Sequence, residues 1–93
     1  MYHLFRTKEF EKSLLALLRS GKFQRQEIEE VLDILSSGTP LPPSYRDHAL
    51  KGDMSNLREC HVRGDILLIY RKDREALILV ALDIGTHHEI FGK

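Results

Sequence analysis

Three rhythms of apolar residues divide the chain. Phe10, Leu14, Leu17 and Leu18 recur at i, i+4, i+7 and i+8, one face of a helix, with Thr7 placed to cap its start and Gly21 to end it. Ile28, Val31, Leu32 and Leu35 follow the i, i+3, i+4, i+7 spacing, and Ser36-Ser37-Gly38 stops this second helix. Ahead of both, Tyr2 to Arg6 is short and aromatic and predicts a brief strand. Further on the period becomes two. Leu57 to Val62 alternates, with Cys60 and Val62 on one face and Glu59 and His61 on the other, before a tight turn at Arg63-Gly64-Asp65. Ile66 to Tyr70 and Ala76 to Leu82 are nearly unbroken apolar runs around the polar turn Lys72-Asp73-Arg74-Glu75, as expected of central strands in a meander.

Two stretches have no such rhythm. Thr39 to Ser44 holds all three prolines of the chain, whose fixed φ and missing amide hydrogens predict a stiff connector. Tyr45 to Lys51 has no period and is expected to be a loop held by something other than its own ladder; the C-terminus turns polar from Asp83 to Lys93. The order strand, helix, helix, strand, strand, strand implies an α+β fold. Its mainly antiparallel twisted sheet would carry both N-terminal helices on one face, with Glu59 and His61 projecting from the other, partly free face. At 93 residues the expectation is one domain, 1–93.

Composition narrows the classes. With 42% hydrophobic and 30% charged residues the chain is neither a disordered tail nor a low-complexity segment. No apolar run approaches the ~20 residues of a membrane span, and the N-terminus lacks the pattern of a signal peptide, so a cytoplasmic protein without a membrane partner is expected. A lone Cys60 can close no intrachain disulfide, and on the core-facing side of its strand it is expected to have no catalytic role. Fourteen basic residues balance fourteen acidic ones, so bulk electrostatics does not announce a nucleic-acid binder. The charge is uneven, however: residues 1–25 carry a net +4 and residues 26–40 a net −4. A basic first helix could steer polyanions, or it could simply attract the acidic second helix.

The candidate chemistry lies in the histidines. His48 falls in the loop, His61 on a strand face, and His87 and His88 just after the last strand. An imidazole with an unperturbed pKa near ~6.5 can both take and give a proton, so two of them across a scissile bond can act as base and acid. With Asp65 and Glu59 close in sequence, the set is consistent with a general acid–base site. The residues alone leave other readings open. Each histidine could be an ordinary surface residue, Phe91 could be an anchor for the tail, and His61, His87 and a carboxylate could ligate zinc, although no H-x-x-x-H spacing or cysteine pair supports that.

Three strings sharpen the picture: Leu41 to Gly52 with Tyr45-Arg46-Asp47-His48-Ala49-Leu50-Lys51-Gly52, Arg58 to Tyr70 with His61-Val62 and Asp65, and Gly85-Thr86-His87-His88-Glu89-Ile90-Phe91-Gly92. Together they resemble the YafQ-type branch of the RelE superfamily of bacterial toxins, over the whole chain and in order. The resemblance implies a RelE-like fold and a ribosome-dependent messenger-RNA endonuclease that needs no metal or cofactor. It acts by making the ribose 2′-hydroxyl attack the adjacent phosphorus. It also implies a co-expressed antitoxin of the DinJ/RelB type, which dimerises and binds operator DNA, so that the toxin meets that DNA only through the complex. The candidate docking surface for it is the basic first helix with the exposed sheet face. Carried over by position, His87 matches the general acid and His48 the candidate base. His61 is expected to contact the phosphate, Asp65 to orient an imidazole, and Phe91 to stack on a base. Arg46, Lys51 and Arg58 are candidate phosphate contacts. Glu59, also a candidate at the substrate, stands where the family often has aspartate.

Overall fold

A computed structural model of the chain describes residues 1–92. Strand β1 (His3–Arg6) leads through Thr7 into helix α1 (Lys8–Arg19), and helix α2 (Arg25–Ser37) follows. Thr7 caps α1 by accepting from the Phe10 amide at 3.0 Å, and its hydroxyl donates to the Leu82 carbonyl at 3.1 Å, so the same residue starts the helix and fastens it to the sheet. Helix α2 stops at Gly38, which takes the left-handed conformation (φ +85°) that a glycine adopts without a Cβ penalty. Short 3₁₀ turns at Pro43–Tyr45 and Gly52–Met54 flank β2 (His48–Ala49); then come β3 (Arg58–Arg63), β4 (Ile66–Asp73), β5 (Ile78–Thr86) and a terminal helix α3 (His87–Phe91).

The five strands form one mixed sheet in the order β1-β5-β4-β3-β2. Only β1 and β5 pair in parallel; the others are antiparallel. Both helices pack on one face. Phe10 and Leu14 of α1, and Ile28, Val31, Leu32 and Leu35 of α2, meet Cys60, Leu68, Tyr70, Leu79, Ala81 and Ile84 of the sheet in a single core. Each large side chain buried there contributes about 1.5–3 kcal/mol. Cys60 is fully buried and its thiol is pushed up to about 12 by burial first and by the charges of Asp47 and Glu59 next, so it stays protonated and inert.

Strand register decides what the second face carries. Cys60 pairs with Leu68 and Leu68 with Ile84, all facing the helices; Glu59, Ile69 and Asp83 form a row on the opposite face, as do His61, Leu67 and Gly85. The β4–β5 register shifts between Ile69 and Tyr70, so Leu82 is the extra residue of a bulge. Without it, strict alternation from Leu79 and Ala81 would turn Asp83 and Gly85 toward the core.

The architecture matches the expectation, with four differences. The segment expected to be a loop contains β2, a two-residue edge strand whose length is below any readable period. The polar tail forms α3, because Thr86 and Glu89 make a reciprocal capping box. β4 continues to Asp73, so the turn begins later than Lys72, and β5 starts at Ile78 and runs to Thr86 rather than ending at Leu82. Finally, the second face is less open than expected, since Glu59, Leu67 and Ile69 are all buried there.

Candidate active site

The second face of the sheet brings two of the sequence-predicted residues, His48 and His61, onto the carboxylate of a third, Glu59. Register puts His48 opposite Glu59 across the β2–β3 ladder. The His48 Nε2 atom lies 3.3 Å from Glu59 Oε2, and His61 Nε2 lies 4.0 Å from the same oxygen. Glu59 is itself only 8% exposed, whereas both rings reach solvent. A carboxylate this buried must be paired or strongly hydrogen-bonded, and the two imidazoles are its neighbours here. The other ring nitrogens meet carbonyls: His48 Nδ1 is 2.6 Å from the Arg46 carbonyl oxygen and His61 Nδ1 is 3.4 Å from that of Gly64. A carbonyl can only accept, so His48 donates from Nδ1; its Nε2 faces Glu59 and the open face, and pairs with that carboxylate when it too holds a proton.

The far side of the face belongs to β5 and α3. The row His61, Leu67, Gly85 leads directly to Thr86 and His87. Thr86 Oγ1 accepts from the Glu89 amide at 3.1 Å while Glu89 Oε1 accepts from the Thr86 amide at 2.8 Å, which fixes the first turn and with it the direction of His87. A Cβ at Gly85 would stand 2.9 Å from that same Glu89 oxygen, so a side chain there would push the Glu89 carboxylate out of its capping contact. The rings of His87 and Phe91 lie 4.7 Å apart at 46°, consecutive turns of one short helix presenting an imidazole and an aromatic face together.

The remaining predicted residues separate. Arg46 and Asp65 line a cleft of about 600 Å³, together with Tyr45, His61, Arg63 and Gly64. Among the described residues Asp65 makes no side-chain hydrogen bond to an imidazole. Lys51 is exposed and precedes the second 3₁₀ turn. Arg58 points away from this face. Its Nε donates to Asp47 Oδ1 and to Tyr70 Oη, each at 3.3 Å, on the helix side of the sheet. Burial works against its charge, but Asp47 and Tyr70 more than offset that and raise its pKa. Asp47 and Tyr70 are therefore the two neighbours of the site that sequence reasoning missed. The only available signal was that Asp47 adjoins His48 and Tyr70 closes the strand-β4 string. Among the described residues no group of three or more His, Cys, Asp or Glu side chains is arranged to hold a metal ion.

Charge is distributed differently from the simple picture of two attracting helices. Arg6 of β1 pairs with Glu29 at 3.1 Å and with Glu11 at 3.3 Å, and Arg63 of β3 pairs with Glu27. Two of the four acids of α2, Glu27 and Glu29, are thus engaged by strand residues, while Lys8, Lys12 and Arg19 of α1 form no ion pair with any acid among the described residues. No helix there is long and apolar enough to cross a membrane.

Comparison with known proteins agrees with the strings read above. The sequence model of a family described as "Bacterial toxin of type II toxin-antitoxin system, YafQ" matches residues 2–92. An mRNA interferase toxin YafQ of Escherichia coli (strain K12) is 36% identical over 59 residues, 63% of this chain and 62% of that protein. The chain spans less than two thirds of the length of the curated relatives it matches. Among solved structures, a copper-bound mutant toxin from Helicobacter pylori superposes with a TM-score of 0.89 at 36% identity, covering 98% of this chain and 100% of that one. The toxin in an E. coli DinJ-YafQ complex superposes with a TM-score of 0.84 at 26% identity, covering 99% and 100%. The match over 2–92 and the shared fold place the chain in the YafQ family of toxins of bacterial type II toxin–antitoxin systems.

Proposed function

We propose that the chain is a ribosome-dependent messenger-RNA endonuclease, cutting translated RNA by metal-independent acid–base catalysis and neutralised by a cognate antitoxin. The observation that carries this reading is the convergence of His48 and His61 on the buried Glu59 carboxylate, on the face whose row His61, Leu67, Gly85 runs to the strand end from which His87 and Phe91 follow. Cleavage requires a base to remove the ribose 2′ proton, groups to meet charge on the phosphate oxygens, and an acid to protonate the departing 5′ oxygen. Adjacent strands lie ~4.8 Å apart, so the backbones of β2 and β5 are ~14 Å apart, the span across which base and acid would have to reach one phosphodiester.

In this arrangement His48 Nε2 accepts the 2′ proton, and the Glu59 carboxylate 3.3 Å away stabilises the imidazolium that results. The 2′ oxygen then bonds to phosphorus, the bond to the 5′ oxygen breaks, and His87 returns a proton to that oxygen, leaving a 2′,3′-cyclic phosphate. His61, between the two, meets the phosphate. Phe91, in ring contact with His87, stacks on a base beside the cut, as single-stranded RNA recognition commonly requires. Arg46, at the cleft it shares with His61 and Asp65, reaches the backbone, as does Lys51. Arg58 is assigned no phosphate contact, because its guanidinium is engaged by Asp47 and Tyr70, and Glu59 serves the imidazoles rather than the RNA.

The DinJ-YafQ complex supports an antitoxin as the partner. The basic face of α1, whose Lys8, Lys12 and Arg19 lack intramolecular acids among the described residues, suits an acidic segment that folds on binding, and operator DNA is reached only through that antitoxin.

The test is a cell-free translation reaction with a defined messenger, new RNA ends being mapped with and without ribosomes. Cuts are expected on translated RNA only, and equally from protein stripped of bound metal before it is added to the reaction. They should fall by 10²–10⁴-fold in a folded His87→Gln variant, the usual contribution of a positioned acid. Cuts on naked RNA would make the protein a general ribonuclease, and full activity of folded His87→Gln would remove His87 from the mechanism.

A further inference from the structure

The strand that carries His48 is too short to hold itself. β2 has two residues, both exposed, and its ladder consists of His48 opposite Glu59 and Ala49 opposite Arg58, extended only by the Leu50 amide donating to the Leu57 carbonyl at 2.9 Å. The chain enters it through Arg46 at φ +50°, a left-handed conformation that costs a non-glycine residue of order 1 kcal/mol and persists only where its surroundings impose it. Two fastenings impose it. On the open face, Glu59 meets the His48 ring. On the helix side, Asp47 Oδ1 accepts from the Tyr70 hydroxyl and from Arg58 Nε. Successive strand residues point to opposite faces, so tying Asp47 inward is what turns His48 outward.

We propose that Asp47, Tyr70 and Arg58 form a clamp behind the sheet edge that fixes the backbone of His48, which makes Asp47 and Tyr70 positioning residues for cleavage. The inference rests on the role of His48 as the base and adds to it the residues that aim it. Its physical warrant is the cost of the arrangement. Tyr70 is 1% exposed in the centre of the apolar core, where a phenylalanine would pack as well and would leave no hydroxyl to satisfy. Burial and the Asp47 charge both raise the phenol's pKa, so it stays protonated and donates. The Asp47 and Arg58 side chains keep 25% and 34% exposure, so their pairing adds little to net stability, but a different placement of the Asp47 backbone would take the acceptor away from the buried Tyr70 hydroxyl.

The test pairs Tyr70→Phe, which removes the hydroxyl and keeps the ring, with Asp47→Asn, which keeps an acceptor oxygen, and Asp47→Leu, which does not. In the translation assay, Tyr70→Phe and Asp47→Leu are expected to lower cleavage at saturating ribosome about tenfold, with the half-saturating ribosome concentration moved less than about twofold. Asp47→Asn should stay within about threefold of the parent. Independently of activity, amide exchange at His48 and Leu50 should quicken at least about tenfold in Tyr70→Phe, while exchange in the centre of β4 and β5 is unchanged. Unaltered exchange at β2, or unaltered cleavage in Tyr70→Phe, would overturn the clamp. A parent protein that cuts nothing, yet shows the β2-specific change in exchange, would sink the nuclease reading and leave the clamp standing as the device that aims His48.

Discussion

His48 lies on the edge strand β2 and His87 just past the end of β5, on elements of two and five residues, and they are held in opposite ways. His87 is held locally. Thr86 and Glu89, three residues apart, complete each other's hydrogen bonds, Gly85 leaves room for them, and Phe91 packs on the imidazole from the next turn. His48 is held from a distance. Its neighbour Asp47 is tied to Arg58 and Tyr70, 11 and 23 residues away, and its own ring meets Glu59 of the next strand. A local fastening depends only on its own turn, so the α3 margin should respond to changes within residues 85–91 and little else. A distant one exists only once β3 and β4 are paired, so the β2 margin should report on the integrity of the whole sheet.

The largest effect that separates the margins from their base comes from the core. Leu68 is fully buried between Cys60 and Ile84, and Leu68→Ala should cost about 2–5 kcal/mol in urea unfolding. Under mild urea β2 should lose exchange protection before α3 does; simultaneous loss would show that the two margins are not held differently. An intermediate effect is expected from Thr86→Ala, which deletes one partner of the capping box and should cost about 1 kcal/mol of local stability. Cleavage should fall through displacement of His87, with exchange at His48 and Leu50 unaltered. Altered exchange at those amides would mean that the margins communicate.

The smallest effect lies outside both. The Glu27 carboxyl is held below its ordinary value chiefly by the Gln24 amide, with Arg63 contributing and burial acting the other way. A depressed folded-state pKa gives stabilisation that is present above the ordinary carboxylate range and lost as pH falls through the depressed value. For a solvated pair this is on the order of 0.5 kcal/mol. Glu27→Gln should therefore be slightly less stable than the parent at neutral pH, with the difference vanishing in acid. A gap that widens in acid would contradict the sign. Neither margin should change its exchange in this variant.

These contrasts also explain which parts of the molecule could be read in advance. Both long helices, their caps at Thr7 and Gly38, and the inward set from Phe10 to Leu35 follow from spacing, because helical contacts repeat every three to four residues along the chain. The capping box Thr86-His87-His88-Glu89 was equally readable, being a signal four residues long, and α3 was missed only because a five-residue helix has no period to support it. The bulge at Leu82 was not readable. Ala76 to Leu82 is apolar throughout, and which of its residues face the helices depends on the β4 partner across the ladder.

The same division runs through the candidate site. Residue types, their order and the three strings are properties of the sequence, and they sufficed to identify the family and the histidines at issue. That Glu59 is buried between two imidazoles, that Arg58 turns inward, and that Asp47 and Tyr70 aim His48 were decided by tertiary structure alone. The physical reason is that a strand's hydrogen bonds, register and buried polar partners are all supplied by other strands. Local sequence can state that β3 alternates, but only the pairing of β2, β3, β4 and β5 determines which side chains meet across it.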